Sequence, residues 1–114
     1  MMNLTDQVYL RDILDCIERI ELYCKDGREV FMNSILIQDA VIRNFEIIGE
    51  ASKQLSCELK SATSHIPWRQ MGDFRNLLIH DYAKVDMAEV WSVVENDLDS
   101  LKQVIKTLLN DLLY

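Results

Sequence analysis

The sequence predicts an all-α fold, an up-and-down bundle of four to five helices, and three observations lead to that prediction. Most of the chain repeats apolar residues at spacings of three and four, the period of a helix with one buried face. Only three glycines and one proline occur in 114 residues, too few for the turns of a sandwich or barrel or for a Rossmann-type glycine loop. No stretch alternates apolar and polar residues as a half-buried strand does. A chain of this length forms one domain, residues 1–114.

The first helix is predicted from about Asp6 to Cys24. Thr5 or Asp6 can cap its start, and the Lys-Asp-Gly sequence at 25–27 is typical of a helix end. Residues 28–33 read as a short connection to the next helix. The stripe that we expect to be buried is Leu10, Ile13, Ile17, Ile20 and Cys24.

The second helix is predicted to follow a cap at Ser34 and to reach about Leu55. Gly49 lies inside it and costs about 1 kcal/mol relative to alanine in a helix interior, so we expect a second helix to approach closely at this point. The inner stripe reads Ile37, Val41, Phe45 (or Asn44), Ile48, Ala51 and Leu55.

The polar stretch from Ser56 to Ile66 is predicted to be the longest loop. Pro67 suits the first turn of a third helix, which continues to about His80, with Gly72 as a point where it kinks or divides. After a break over residues 82–85, Asp86 is the predicted cap of a last helix running from Met87 to about Leu113. Its apolar stripe is Met87, Val90, Val94, Leu98, Leu101, Ile105, Leu108 and Leu112.

The charge of the chain is acidic overall but basic in one segment. Twelve Lys and Arg residues against 19 Asp and Glu give a net charge of −7, which argues against a general DNA-coating protein because nonspecific affinity comes from neutralising phosphates. The apolar fraction of 49% argues against a disordered chain. Residues 60–84 carry four basic and two acidic side chains, a balance of +2. We therefore expect any phosphate group to bind in this middle segment.

The cysteines indicate a reduced, cytoplasmic protein. Cys16, Cys24 and Cys57 are odd in number and lack CxxC spacing, and the first two lie about 12 Å apart on one predicted helix, too far to form a disulfide. Two isolated histidines and unpaired cysteines predict neither a structural zinc site nor a cofactor. The N-terminus lacks the pattern of a secretory signal, and no apolar run of membrane-spanning length occurs, so we expect no membrane association.

The segment RNLLIHDY, residues 75–82, holds the residues best suited to chemistry, in the pattern R-x4-H-x-Y. Arg75 offers a permanently charged fork that matches phosphate oxygens, and His80 can accept and donate a proton near neutral pH. These are the two things that a metal-independent ribonuclease needs. They come together as a compact set nowhere else in the chain.

Each of these residues also has a plainer interpretation. Arg75 could pair with Asp73 or Asp81 on the surface. His80 could serve only as a cation near a helix C-terminus, and Tyr82 could be a core residue with an exposed hydroxyl.

The motif resembles the Arg-x4–6-His motif of HEPN-domain ribonucleases and, more closely, the R-x4-H-x-Y of HepT-like toxins. The segment RNFEIIGEA, residues 43–51, is similar to the second-helix signature of that family, and the resemblance extends over nearly the whole chain. It implies a helical homodimer in which two motifs line one cleft and cleave RNA without a metal. It also implies a toxin–antitoxin pair of type VII-like character, in which an MntA-like nucleotidyltransferase attaches AMP to the motif tyrosine.

Carried over to this chain, the resemblance gives each residue a role. Arg75 would bind or stabilise phosphate, His80 would be the general acid and base, and Tyr82 would accept AMP. Asn76 matches the polar residue that commonly follows the motif arginine. Glu46, which belongs to the second-helix signature, would support the cleft.

Helix geometry adds a requirement of its own. Arg75 and His80 are five residues apart, about 140° around a regular helix, whereas Asn76 and His80 share a face. One chain therefore offers one histidine where cleavage needs both a base and an acid, and a two-fold dimer would supply both. The alternative is a non-catalytic helical module that docks a nucleotidyltransferase or binds a nucleotide, which a neutral or acidic cleft would favour.

Other candidates are weaker. Glu46 and Glu50 lie one turn apart at salt-bridge spacing from Arg43 and Lys53, which favours a solvated helix face over a catalytic carboxylate pair.

The two tryptophans, Trp68 and Trp91, lie on apolar stripes and are interpreted as core or dimer-interface residues. His65 falls in the predicted loop without an identifiable partner.

Overall fold

The computed structural model describes residues 3–111, and at Tyr82 the backbone alone. Within that range the chain forms seven α-helices and one short 3-10 helix, with no strand, so the predicted all-α class is confirmed. No helix among these residues is long and apolar enough to span a bilayer. The helices are α1 (Leu4–Tyr23), α2 (Arg28–Met32), α3 (Ile35–Gln54), α4 (Cys57–Ala62), α5 (Trp68–His80), α6 (Met87–Asn96) and α7 (Leu98–Asp111), with the 3-10 helix at Tyr82–Lys84.

Side-chain caps fix where several helices begin. Ser34 caps α3 by accepting a hydrogen bond from the backbone N–H of Ile37 at 3.2 Å, and Asp86 caps α6, both as predicted. The predicted cap of α1 is wrong by a few residues, because Asn3 caps that helix by accepting from the backbone N–H of Asp6 at 2.7 Å. Asparagine and aspartate are comparably good caps, so composition alone does not choose between them.

The helix count exceeds the predicted four to five because short helices occupy predicted connections. Residues 28–33 include α2, and the predicted loop Ser56–Ile66 contains α4, which Ser56 caps through a 3.1 Å bond from the N–H of Leu59. Helices of five or six residues are too short to show an apolar period.

Two further expectations about helix continuity are wrong. Gly72 does not divide α5, which runs unbroken from Trp68 to His80. The predicted last helix is divided at Asp97 into α6 and α7, although its apolar pattern continues across the break. The predicted end of that helix, with Leu112 and Leu113, lies outside the described residues.

The core is built on α3, which packs against α1 along one side and against α5 along another, while α7 covers α1. The aromatic rings of Phe45 on α3 and Phe74 on α5 meet edge to face at 5.4 Å between centroids. A salt bridge of 2.8 Å from Lys102 to Glu21 joins α7 to α1. The fully buried large side chains include most of the predicted stripe of α1, together with residues of the later helices: Leu10, Ile13, Ile17, Ile20, Phe31, Val41, Leu78, Val90 and Ile105.

A buried carboxylate ties the start of α1 to the start of α4. Asp6 is 2% exposed and accepts two hydrogen bonds from Ser56, at 2.8 Å from its backbone N–H and at 2.6 Å from its hydroxyl. We expect Asp6→Ala to lower the free energy of unfolding by about 3 kcal/mol, since hydrogen bonds to charged groups are worth about 1.5–3 kcal/mol each. Urea denaturation measures the change, with exposed Asp12→Ala as the control; equal midpoints for the two variants would contradict this role.

The three cysteines are all free, as predicted, and they differ in burial. Desolvation raises the pKa of the Cys24 thiol to about 11, and desolvation, partly offset by Arg19, raises the pKa of Cys16. Cys57 is exposed. At pH 8 we therefore expect a thiol reagent to modify Cys57 rapidly in the folded protein and the other two only after unfolding. Fast labelling that survives Cys57→Ser would contradict this order.

The raised thiol pKa values also make the free energy of unfolding depend on pH. An unfolded thiol ionises near its ordinary value of 9.0, whereas folded Cys24 stays protonated up to about 11. Between pH 9.0 and about 11 the folded chain therefore holds more protons than the unfolded chain. The free energy of unfolding is thus highest, as far as Cys24 is concerned, below pH 9.0, and it falls as the pH rises from 9.0 to about 11.

Candidate functional site

The motif helix α5 packs tightly against α3 where Gly49 meets Arg75. A Cβ atom added at Gly49 would collide with the Cβ of Arg75, and would lie 2.9 Å from its Cγ and 3.0 Å from the carbonyl oxygen of Met71. The close approach predicted from this glycine is thus confirmed. Because the contact involves the stem of Arg75 itself, Gly49 sets where the motif arginine stands relative to α3.

The guanidinium group of Arg75 is oriented by two neighbours. Its Nη2 forms a salt bridge of 2.9 Å with Glu50 on α3, and its Nη1 donates to Oδ1 of Asn76 at 3.2 Å. The side chain is only 25% exposed, and its buried Nε has no hydrogen-bond partner among the described residues. The partner of Arg75 is therefore Glu50, not Asp73 or Asp81 as the plainer interpretation held.

The same asparagine also binds a second cation. Nζ of Lys53 on α3 donates to Oδ1 of Asn76 at 2.8 Å, so one amide oxygen accepts from both Lys53 and Arg75. Asn76 thus links the motif helix to α3 and holds two positive charges beside each other.

Arg75 borders a shallow cleft of about 200 Å³ between α1, α3 and α5. Glu46, a predicted supporting residue, lines this cleft and forms a 3.6 Å salt bridge with Arg43. Two guanidinium groups and three carboxylates face the cleft, so its wall in a single chain is slightly acidic. The lining residues are Tyr9, Asp12, Arg43, Glu46, Ile47, Glu50, Ala51, Arg75 and Ile79.

The motif histidine stands apart from the arginine. His80 is the last residue of α5 and is exposed, about 7.5 Å along the axis from Arg75 and about 140° around it. Its imidazole forms no hydrogen bond or ion pair with the described atoms of residues 3–111. One chain does not gather the two groups around one point, which agrees with the helix geometry expected from the spacing.

The motif tyrosine, Tyr82, lies two residues after the end of α5. The backbone of Tyr82 begins the 3-10 helix after α5, and its side chain lies outside the described part of the structure. Its predicted role as AMP acceptor therefore stays a prediction.

Two residues of this site were not predicted from sequence. Glu50 was interpreted as part of a solvated face, and Lys53 as its salt-bridge neighbour on the same helix. Both instead reach α5. The signal that could have found them is Gly49, since residues at a point of close helix approach are those that contact the opposite helix.

The remaining aromatic and histidine candidates lie elsewhere. Trp68 is buried and donates its indole N–H to Thr63 at 2.9 Å, which confirms a core position. Trp91 is half-buried with its ring 5.4 Å from that of Phe31. His65 is exposed at the edge of an apolar groove of about 460 Å³ between α5 and the α6–α7 pair. Among residues 3–111, no cluster of His, Cys, Asp and Glu side chains could hold a metal ion.

The fold is shared with a solved protein. The chain superimposes on a Shewanella oneidensis HEPN toxin, solved tri-AMPylated in complex with an MNT antitoxin, with a TM-score of 0.71 at 24% identity, covering 94% of this chain and 98% of that one. This likeness defines the fold class: the chain has the all-helical fold of that solved protein.

Sequence comparison names the family. Residues 13–108 match the family model described as ribonuclease HepT-like, and the chain belongs to that family of ribonucleases. A Thermococcus cleftensis protein that carries the name "Probable ribonuclease HepT" is 42% identical to this chain. The match covers 89% of this chain and 93% of that protein. A Methanocaldococcus jannaschii protein, named for a gamma-glutamylcyclotransferase and an inferred RNase, is 44% identical over 93% of this chain. This chain spans about half the length of that second relative, 48%.

Proposed function

We propose that this protein is the toxin of a toxin–antitoxin pair and a metal-independent endoribonuclease whose site is completed by two chains. The observation that supports it best is the presentation of Arg75. Its guanidinium borders a surface cleft, is oriented by Glu50 and Asn76, and precedes an exposed histidine on the same helix. Membership of the HepT-like ribonuclease family supports the same activity.

Each motif residue has a defined part in the proposed reaction. The 2′-hydroxyl of the RNA gives its proton to one His80 and attacks the adjacent phosphorus. The His80 of the partner subunit gives a proton to the departing 5′-oxygen, so the products are a 2′,3′-cyclic phosphate and a 5′-hydroxyl. Arg75 stabilises the charge that develops on the phosphoryl oxygens. No step needs a metal ion.

The dimer is tested by mixing subunits. Parent protein is diluted with His80→Ala protein at constant total concentration, after both are allowed to exchange chains. If cleavage needs His80 from both chains, activity falls as the square of the parent fraction, because only parent homodimers are active. A linear fall would show that each chain acts alone and would overturn the shared site.

The proposed antitoxin is an MntA-like nucleotidyltransferase that silences the toxin by attaching AMP to Tyr82. Incubation with such an enzyme and ATP should add adenylyl mass to the parent and abolish cleavage, whereas Tyr82→Phe should keep its mass. If the Tyr82→Phe variant gained as many adenylyl groups as the parent, the acceptor would be another residue.

A second candidate function is favoured by one observation. The cleft beside Arg75 carries three carboxylates against two guanidinium groups. Because carboxylates repel phosphate groups, this wall suits a non-catalytic module that docks a nucleotidyltransferase better than it suits RNA. Stable binding of the nucleotidyltransferase by a chain that neither binds nor cleaves RNA would select this module.

A further inference from the structure

We propose that Lys53 is a second phosphate-binding residue of the site, and that the amide oxygen of Asn76 occupies the position a phosphate oxygen takes when RNA binds. The inference rests on the proposed ribonuclease function and adds a residue to its substrate contacts. Lys53 comes from α3, outside the motif.

The geometry around Asn76 supports the substitution of one oxygen for another. Its Oδ1 accepts from Nζ of Lys53 at 2.8 Å and from Nη1 of Arg75 at 3.2 Å. An oxygen held between an ammonium and a guanidinium group is the environment that a phosphate oxygen prefers. A carboxamide is a neutral and weaker acceptor than a phosphate, so an RNA phosphate can displace it.

Charge balance explains why a second cation is needed. Arg75 already forms a salt bridge of 2.9 Å with Glu50, and the cleft on that side is slightly acidic. Lys53 has no carboxylate partner among residues 3–111, so its charge is not compensated within the described chain. Of the two cations at Asn76, Lys53 is therefore the one that brings surplus positive charge to the motif.

The stem of Lys53 is guided toward the motif by Gly72. A Cβ atom at Gly72 would lie 3.1 Å from Cε and 3.6 Å from Cγ of Lys53, so the aliphatic chain lies across the bare backbone of α5. Gly72, which we predicted as a point where the helix kinks or divides, leaves room for the lysine side chain. The ammonium group then lies one helical turn further on, at Asn76.

The test measures RNA binding by protein that cannot cleave. Fluorescence anisotropy of a labelled single-stranded RNA is recorded against salt concentration for His80→Ala and for His80→Ala with Lys53→Gln. Losing one phosphate contact should lower the slope of log K against log salt by about 0.7, which is about an eightfold loss of affinity at about 50 mM salt. Lys53→Arg should restore most of the affinity. Lys106→Gln, an exposed lysine on α7 with the same change in net charge, should leave both quantities unaltered.

A double-mutant cycle separates direct contact from support of Asn76. If Lys53 binds phosphate, Lys53→Gln still lowers the salt slope when Asn76 is already Ala; if Lys53 only holds Asn76, it has no further effect there. An unchanged slope in either background, with RNA still bound, would overturn the role of Lys53 and leave the ribonuclease proposal intact. A parent chain that neither binds nor cleaves RNA would overturn both.

Discussion

His80→Ala should lower RNA cleavage by at least about a hundredfold, because a positioned general acid or base contributes about 10²–10⁴ to a rate. The loss should be larger than for one catalytic group, since the proposed dimer uses this residue from both chains. The imidazole of His80 is exposed and forms no hydrogen bond with the described atoms of the chain. Its replacement should therefore change the free energy of unfolding by less than about 0.5 kcal/mol. Initial cleavage rates and urea midpoints of the two purified proteins measure both effects.

The chain supplies a matched control for this experiment. Its only other histidine, His65, is also exposed but lies at the edge of the apolar groove on the other side of α5. His65→Ala should cleave RNA at the parent rate. Equal activity of the His80→Ala protein and the parent would remove the histidine from the mechanism.

Gly49→Ala should damage both the fold and the site. The new methyl group would collide with the Cβ of Arg75 and press on the carbonyl oxygen of Met71, 3.0 Å away. Neither can move without displacing α5 from α3, and overpacking of this kind costs about 1–3 kcal/mol. The displacement would also draw Arg75 away from Glu50, so we expect cleavage to fall by at least tenfold even at temperatures where the variant is folded, as judged by circular dichroism.

Gly72→Ala is the matched control for stability. The added methyl group there meets only the flexible side chain of Lys53, 3.1 Å from its Cε and 3.6 Å from its Cγ, and alanine improves helix propensity by about 1 kcal/mol. The variant should be as stable as the parent or more stable. If Gly49→Ala unfolded at the same urea concentration as Gly72→Ala, the close approach at Arg75 would not constrain the motif helix.

The long helices could be predicted because their buried residues recur at spacings of three and four along the sequence. In α1 the residues Leu10, Ile13, Ile17 and Ile20 recur on one face, and all four are fully buried. The break at Asp97 could not be predicted in the same way, since Val94, Leu98 and Leu101 keep the helical period across it. Short helices such as α4 depend on a cap at Ser56 and on its tie to Asp6, fifty residues away.

In the site, too, residues within one local motif could be predicted, whereas residues that depend on contacts between distant segments could not. Arg75 and His80 are predicted from the spacing of the motif, and Asn76 is predicted from the resemblance to a known family. Glu50 and Lys53 contact Arg75 and Asn76 on α5. Their spacing within α3 indicates only a charged helix face. The sequence does contain the glycine that brings the two helices together, but the side chains opposite it become evident only once the helices are packed.

Cleavage of RNA through the Arg–His motif without a metal ion is the activity on which the proposed function depends. The most direct measurement is incubation of the purified, unmodified protein with RNA in excess chelator, beside the His80→Ala protein at a concentration where both are dimeric. We expect cleavage by the parent alone, with 2′,3′-cyclic phosphate ends. Intact RNA in both reactions, or equal cleavage in both, would contradict it.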